Sequence, residues 1–215
     1  MLISGINKVK NNVRITSDDG QQVILRYEVF LKSGLRKGDE IDENSVSSLI
    51  EQNKFFWAKE AAMRLLARRT HSEFELRRKL AQKKYEKDTI DRIISELKEF
   101  NYLDDARFAR EFYEEKVNRK SLGINKVKLE LKAKGISKEI LEELLLENAG
   151  LDQSQQALDT ARKKLVSLNK RNYDARKTRQ SLYSYLIGKG FGFELSKQVA
   201  DKLLSASSED FGDAD

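Results

Sequence analysis

Three times along the chain the same short pattern returns. Leu76-x-x-Lys79-Leu80-x-x-Lys83-Lys84-Tyr85 aligns with Val127-x-x-Glu130-Leu131-x-x-Lys134-Gly135-Ile136, and both align with Leu182-x-x-Tyr185-Leu186-x-x-Lys189-Gly190-Phe191. Each copy has an apolar pair four residues apart, which shares one face of a helix. A basic residue follows in a turn, and an apolar residue stands five positions after the pair. Eight residues further on lie Ile93, Leu144 and Val199, again matched. The copies are offset by 51 and 55 residues, so the chain is built from repeats of roughly 50 residues. A helix pair cannot bury its own apolar faces whereas three packed helices can, and the spacing therefore predicts tandem three-helix units.

The punctuation agrees with helices. Ile90, Ile93, Ile94 and Leu97 form an i, i+3, i+4, i+7 stripe. Ser72-Glu73-Phe74-Glu75 has capping-box spacing, Asp104, Ser121 and Ser137 precede apolar periodicity, and Gly135 and Gly190 stand where helices stop. The absence of proline leaves long helices unbroken. Nine helices are predicted, near 54–69, 72–83, 88–100, 105–118, 123–134, 138–148, 153–168, 174–187 and 194–204.

Residues 1–53 read differently. Val13 and Ile15 alternate with polar neighbours, Asp19-Gly20 supplies a hairpin turn, and Val23-Ile24-Leu25 resumes a β-rich run. Further turns are marked at Gly34 and Gly38-Asp39, and a short helix is expected over 44–53. The expected fold is mainly α: an elongated array of three tandem three-helix repeats with a small β-rich N-terminal module. Its parts are the module at 1–53, repeats at 54–105, 106–152 and 153–204, and an acidic, disordered tail at 205–215.

Several chemistries are excluded or disfavoured. The chain has 215 residues, 35% of them charged, and its apolar runs reach only three or four residues against the roughly 20 needed to span a bilayer. There is no cysteine, which removes disulfides, thiolate metal sites and cysteine nucleophiles together. The opening residues carry no secretion-signal pattern, and a cytoplasmic protein is expected. The one histidine, His71, stands beside Ser72-Glu73, but His-x-Glu zinc chemistry needs a Cys-x-x-Cys partner; a turn or surface histidine is expected. Gly188-Lys189-Gly190-Phe191-Gly192 resembles a phosphate loop, yet its repeat equivalents mark it as a helix turn. Asp104 and Asp105 read as a helix start rather than a catalytic pair. No catalytic residue, metal or cofactor is expected, and the chain is not read as an enzyme.

Charge is the better lead. The net +6 is unevenly spread: zero over 1–50, +4 over 51–150, +6 over 151–204 and −4 over 205–215. On the helix wheel Lys126 and Lys132 point away from Ile124, Val127 and Leu131, which leaves them available to a partner. Tyr102, Phe108, Phe112, Tyr113, Tyr173, Tyr183 and Tyr185 offer rings for base stacking, although Phe108 and Phe112 at i, i+4 read as core, as does Trp57 with Ala61 and Leu65.

A family resemblance enters here. The run Leu66-Ala67-Arg68-Arg69-Thr70-His71-Ser72-Glu73-Phe74-Glu75-Leu76-Arg77-Arg78-Lys79-Leu80, followed by Leu103-Asp104-Asp105-x-Arg107-Phe108-Ala109 and by Glu130-Leu131-x-x-Lys134-Gly135-Ile136, resembles the RecX regulatory proteins of bacteria over roughly residues 57–204. The resemblance implies a non-enzymatic negative modulator of the RecA recombinase. It would act as a monomer that lies in the groove of the RecA filament on single-stranded DNA and suppresses filament growth, ATPase, strand exchange and coprotease activity. The candidate contacts are Arg68, Arg69, Arg77, Arg78, Lys83 and Lys84 in repeat 1, Lys126, Lys132 and Lys134 in repeat 2, and Arg176, Arg179 and Lys189 in repeat 3, pairing with acidic filament residues or phosphates. Two other readings stand beside it: a duplex DNA binder using helix-turn-helix-like units, and a helical scaffold whose binding ignores DNA. The acidic tail is also a candidate shield for the basic face of repeat 3.

Overall fold

The computed structural model describes residues 1–171 and 173–209, with side chains through residue 205. The fold is mainly α, with ten α-helices among the described residues and one three-stranded antiparallel sheet. The chain divides into two compact units, Met1–Asp104 and Asp105–Asp215.

The first unit opens with β1 (Ile3–Val9), β2 (Asn12–Ser17) and β3 (Gln22–Arg26), joined as a meander in the order β1-β2-β3. The expected hairpin turn joins β2 to β3, with Gly20 at φ 83°. Strand β1 and helix α1 (Tyr27–Ser33) were not expected. Ile3, Val13, Ile15, Leu25, Val29 and Ile41 form the module's core. Helix α2 (Glu43–Leu66) replaces the two helices expected over 44–53 and 54–69. Asp42 caps it by accepting from the Ser45 N–H at 2.9 Å. Its first half packs on the module through Val46, Leu49 and Phe56, and its second half places Ala58, Ala61 and Ala62 in the next core. Midway, the Asn53 amide pairs with β3 as a neighbouring strand would: the Arg26 N–H donates to its Oδ1 at 2.7 Å and its Nδ2 donates to the Ile24 carbonyl at 2.8 Å. This seals one exposed sheet edge.

Repeat 1 adds α3 (Glu73–Gln82) and α4 (Lys87–Glu99) to α2. The second unit contains α5 (Asp105–Glu114), extended by a π-helical turn Glu115–Arg119, then α6 (Ile124–Ala133) and α7 (Lys138–Glu147). It ends with α8 (Ser154–Asn169), α9 (Ala175–Lys189) and α10 (Phe193–Glu209). Helix α10 runs past its expected end at 204, and the remaining acidic residues lie outside the described ones.

The repeated pattern is the core. Leu76, Leu80, Val127, Leu131, Leu182 and Leu186 are all at most 1% exposed. Ile93, Leu144 and Val199 are buried against them. The turn after each pair has one hydrogen-bond pattern: Tyr85 N–H to Leu80 O, Ile136 N–H to Leu131 O and Phe191 N–H to Leu186 O at 3.2–3.4 Å. A shorter bond runs from the preceding residue to the carbonyl three back, at 2.8–3.0 Å. These are Schellman motifs, whose apolar closing residue touches the residue five before it. The motif needs a left-handed residue, supplied by Lys84 (φ 64°), Gly135 (φ 79°) and Gly190 (φ 93°).

In the second unit one turn also joins two repeats. Ser121, expected to start α6, instead lies at φ 50°, and Gly123 is the N-cap without a side-chain cap. The missing acceptors come from repeat 3. Gly123 N–H donates to Lys189 O at 2.9 Å, Asn125 N–H to Gly190 O at 3.1 Å, and Ile124 N–H to Gln153 Oε1 at 3.2 Å. The unpaired N–H groups of one helix start thus meet the unpaired carbonyls of another helix end. The approach is so close that a Cβ on Gly123 would fall 2.1 Å from the Gly190 carbonyl carbon, and one on Gly190 would fall 2.4 Å from Lys126 Cβ.

Two outcomes follow. Gly123→Ala, at an ordinary φ of −69°, lowers the stability of the second unit by about 2–3 kcal/mol, because two backbones must part; urea unfolding measures it. Lys84→Gly raises stability by about 0.5–1 kcal/mol, the relief of a left-handed lysine less the entropy of glycine, and an unchanged or lowered thermal midpoint would contradict this.

Candidate binding surface

The predicted cations fall into two groups. Several are tied up internally. Arg69 donates from Nη1 to buried Glu75 at 2.9 Å and to its neighbour's Thr70 carbonyl at 2.7 Å, closing the turn between α2 and α3. Arg77 lies between Glu73, at 2.7 Å from Nε, and Asp91, bonded through Nη1. Its half-burial would lower the guanidinium pKa, but these two carboxylates outweigh that and raise it. Arg179 pairs with Asp201 at 2.5 Å, and the Lys126 ammonium reaches the Gly188 carbonyl at 3.2 Å.

The others face outward. Arg68, Lys83, Lys84, Lys132 and Arg176 are exposed. Arg78 lies with its guanidinium 5.9 Å from the Phe74 ring centre. Lys134 sits over Phe108 and Phe112, at 5.8 and 5.2 Å. Those two rings stack on each other, 5.9 Å apart, with Phe108 in the core as expected. Lys189 lies 5.4 Å from the Tyr185 ring.

Repeat 3 adds groups that lie in the basic runs of the sequence but were left out of the candidate contacts. Lys164 of α8 also approaches the Tyr185 ring, at 5.2 Å, and Lys177 lies 4.2 Å from Tyr173. The neighbouring Arg171 guanidinium, with the charges of Lys177 and Lys164, lowers the Tyr173 phenol's pKa. Lys164, Arg171, Lys177 and Lys189 make no ion pair among the described residues. The result is two tyrosine rings edged by four cations, joining aromatic faces for stacking with charges for phosphates or carboxylates. Sequence showed the basic runs and the tyrosines separately; only the packing of α8 on α9 sets them beside one another.

His71 is a turn residue, but buried at 3% exposure rather than on the surface. Its Nδ1 donates to the Arg69 carbonyl at 2.9 Å, and Nε2 has no hydrogen-bond partner. Burial lowers its pKa first, and the charges of Arg69 and Lys79 add to that against the weaker pull of the Arg69 carbonyl and Glu75. The folded ring therefore favours the neutral form. Because the unfolded chain binds this proton more readily, stability is complete above the unfolded pKa of about 6.5 and falls as pH drops below it. The thermal midpoint is expected to decline between pH 7 and 5. His71→Asn should flatten that slope; an unchanged slope in the variant would assign it to other groups.

Among the described residues no helix is long and apolar enough to cross a membrane, and no three His, Cys, Asp or Glu side chains converge as a metal site would require. Tandem three-helix modules define a class of helical-repeat proteins. Residues 58–97, 104–145 and 152–200 match, in order, the first, second and third three-helix domains of RecX. The chain is 32% identical over 202 residues to the regulatory protein RecX of Clostridium beijerinckii, covering 94% of each, and 28% identical over 212 residues to that of Clostridioides difficile, covering 97% of this chain and 99% of the other. The chain belongs to the RecX family. A crystal structure of regulatory protein RecX shares the fold with a TM-score of 0.71 at 22% identity, covering 93% of this chain and 98% of that one. RecX from Lactobacillus salivarius matches with a TM-score of 0.60 at 23% identity over 71% of this chain and 97% of that one.

Proposed function

We propose that this chain is a non-enzymatic negative modulator of the RecA recombinase. It binds the groove of the RecA filament on single-stranded DNA and so suppresses filament growth, ATP hydrolysis, strand exchange and coprotease activity. The observation that carries the reading is the set of cations around Tyr173 and Tyr185 in repeat 3, which make no ion pair among the described residues, in a chain of the RecX family. Exposed Arg176 adds to it within repeat 3, and exposed Arg68, Lys83, Lys84 and Lys132 extend the same chemistry over the other modules. Weak contacts from several modules to a repeating polymer sum through effective concentration, so no single strong site is required. Docking of this kind needs no catalytic group.

The duplex reading requires one helix with Arg, Asn or Gln aimed at base edges. Here the outward cations are spread over α3, α6, α8 and α9 instead. Fluorescence anisotropy with single strand, duplex and RecA-coated single strand across a salt series separates the readings, and preference for bare duplex with sequence dependence would defeat the filament reading. The combined variant Lys132→Glu, Arg176→Glu and Lys189→Glu is expected to weaken inhibition of RecA ATPase about tenfold or more at moderate salt. Inhibition left intact would show that these residues are not the contact. Arg179 is left out because of its pairing with Asp201.

A further inference from the structure

Repeat 1 carries an open groove of about 390 Å³ between α3 and the start of α4, lined by Phe74, Arg77, Arg78, Ala81, Tyr85, Lys87 and Ile90. Its accessible lining is almost wholly carbon. Ile90 is buried at the floor, Tyr85 is half-buried beside it, and Phe74 stands as a wall that is 48% exposed. The volume lies within the range of pockets that accept a bulky organic group. The rim is cationic. Arg77 is neutralised by Glu73 and Asp91, but Arg78 and Lys87 make no ion pair among the described residues.

The repeat fold itself does not explain this aromatic wall. The positions matching Phe74 are Asn125 and Gln180, and those matching Ala81 are Lys132 and Ile187. Repeats 2 and 3 thus close the same turn over the same buried pair without an aromatic at this place. Phe74 is not one of the buried residues of the repeat 1 core, which includes Leu76, Leu80 and Ile93, nor one of the half-buried residues packed on it. An exposed aromatic beside a small residue and two unneutralised cations is what a docking pocket presents rather than what folding demands.

We infer that this groove docks a segment of a partner protein that carries one bulky apolar side chain flanked by carboxylates. The apolar side chain enters between Phe74, Ala81 and Tyr85, and its flanking acids meet Arg78 and Lys87. A nucleic acid suits the groove poorly, because its floor offers carbon and no hydrogen-bond donors to base edges. The inference goes beyond the filament reading and is tested without RecA or DNA-dependent activity, so either can fail alone.

The probe is a fluorescein-labelled decapeptide with one Phe flanked on each side by two Glu, titrated with the full chain by fluorescence anisotropy. Replacing the peptide's Phe by Ala, or its Glu by Gln, should each weaken binding at least fivefold. Ala81→Glu, on the exposed face of α3, should abolish it, and Phe74→Ala should weaken it about tenfold, with circular dichroism and thermal midpoints unchanged. Equal binding of all three peptides, or undiminished binding by both folded variants, would overturn the inference. Displacement of the peptide by a deoxythymidine oligomer, with oligomer binding itself lost in Ala81→Glu, would make the groove a nucleic-acid site. A rise in peptide affinity on deleting residues 206–215 would make the chain's own acidic end the occupant, and also overturn it.

Discussion

Every helix leaves four N–H groups at its start and four carbonyls at its end without partners, and this fold is organised by how those ends are closed. In each repeat the end of the second helix closes on itself, through a Schellman turn whose apolar last residue folds back over the buried pair. In the second unit the closure of α9 serves twice, since its last carbonyls also receive the first N–H groups of α6. Positive and negative helix ends meet directly there through Gly123 and Asn125, and the Gln153 side chain accepts from the Ile124 N–H between them. Gly190 is held by two demands together, a left-handed φ and contact with Lys126, and Gly123 by close approach alone, to the Gly190 carbonyl and the Phe191 nitrogen. A glycine-rich run that resembles a phosphate cradle is in this chain the joint between two helical modules.

That principle decides what could be read from sequence. The three repeats were legible because the same residues form the core and close the turn, so each copy carries its signal twice. The N-terminal module was less so. Strand β1 buries Ile3 fully but has a register shift between Ile3 and Gly5, which breaks the alternation that announces a strand. Helix α1 follows β3 directly, has no side-chain cap and buries only Val29. One helix was expected to end at Asn53 and the next to begin at Lys54. In the structure that asparagine is spent on the β3 backbone, and α2 continues through it.

The candidate surface was legible only as composition. Basic residues announce themselves, but their availability depends on partners distant in sequence. Asp91 lies 14 residues from Arg77 and Asp201 lies 22 from Arg179. Neither pairing follows a local spacing rule such as i, i+4. The reverse also holds: Lys164 and Lys189 flank one tyrosine from two helices, an arrangement that no linear pattern marks. Charge counts therefore pointed to repeat 3 without separating its ion-paired cations from the rest.

Folding and recognition place their demands on different residues of the same short helix. In α3, α6 and α9 the inward pair is Leu, Val or Leu at the first position and always Leu at the second, while the outward positions change from Phe74 to Asn125 to Gln180 and from Ala81 to Lys132 to Ile187. The inward residues are at most 1% exposed and tolerate little change of volume. The outward ones belong to none of the repeat cores and differ from copy to copy. Because the second-helix surface of each module is uncoupled from its fold, one repeat can present an apolar groove, another a lysine and a third an aliphatic residue, so three copies of one structural unit give a chain three different faces.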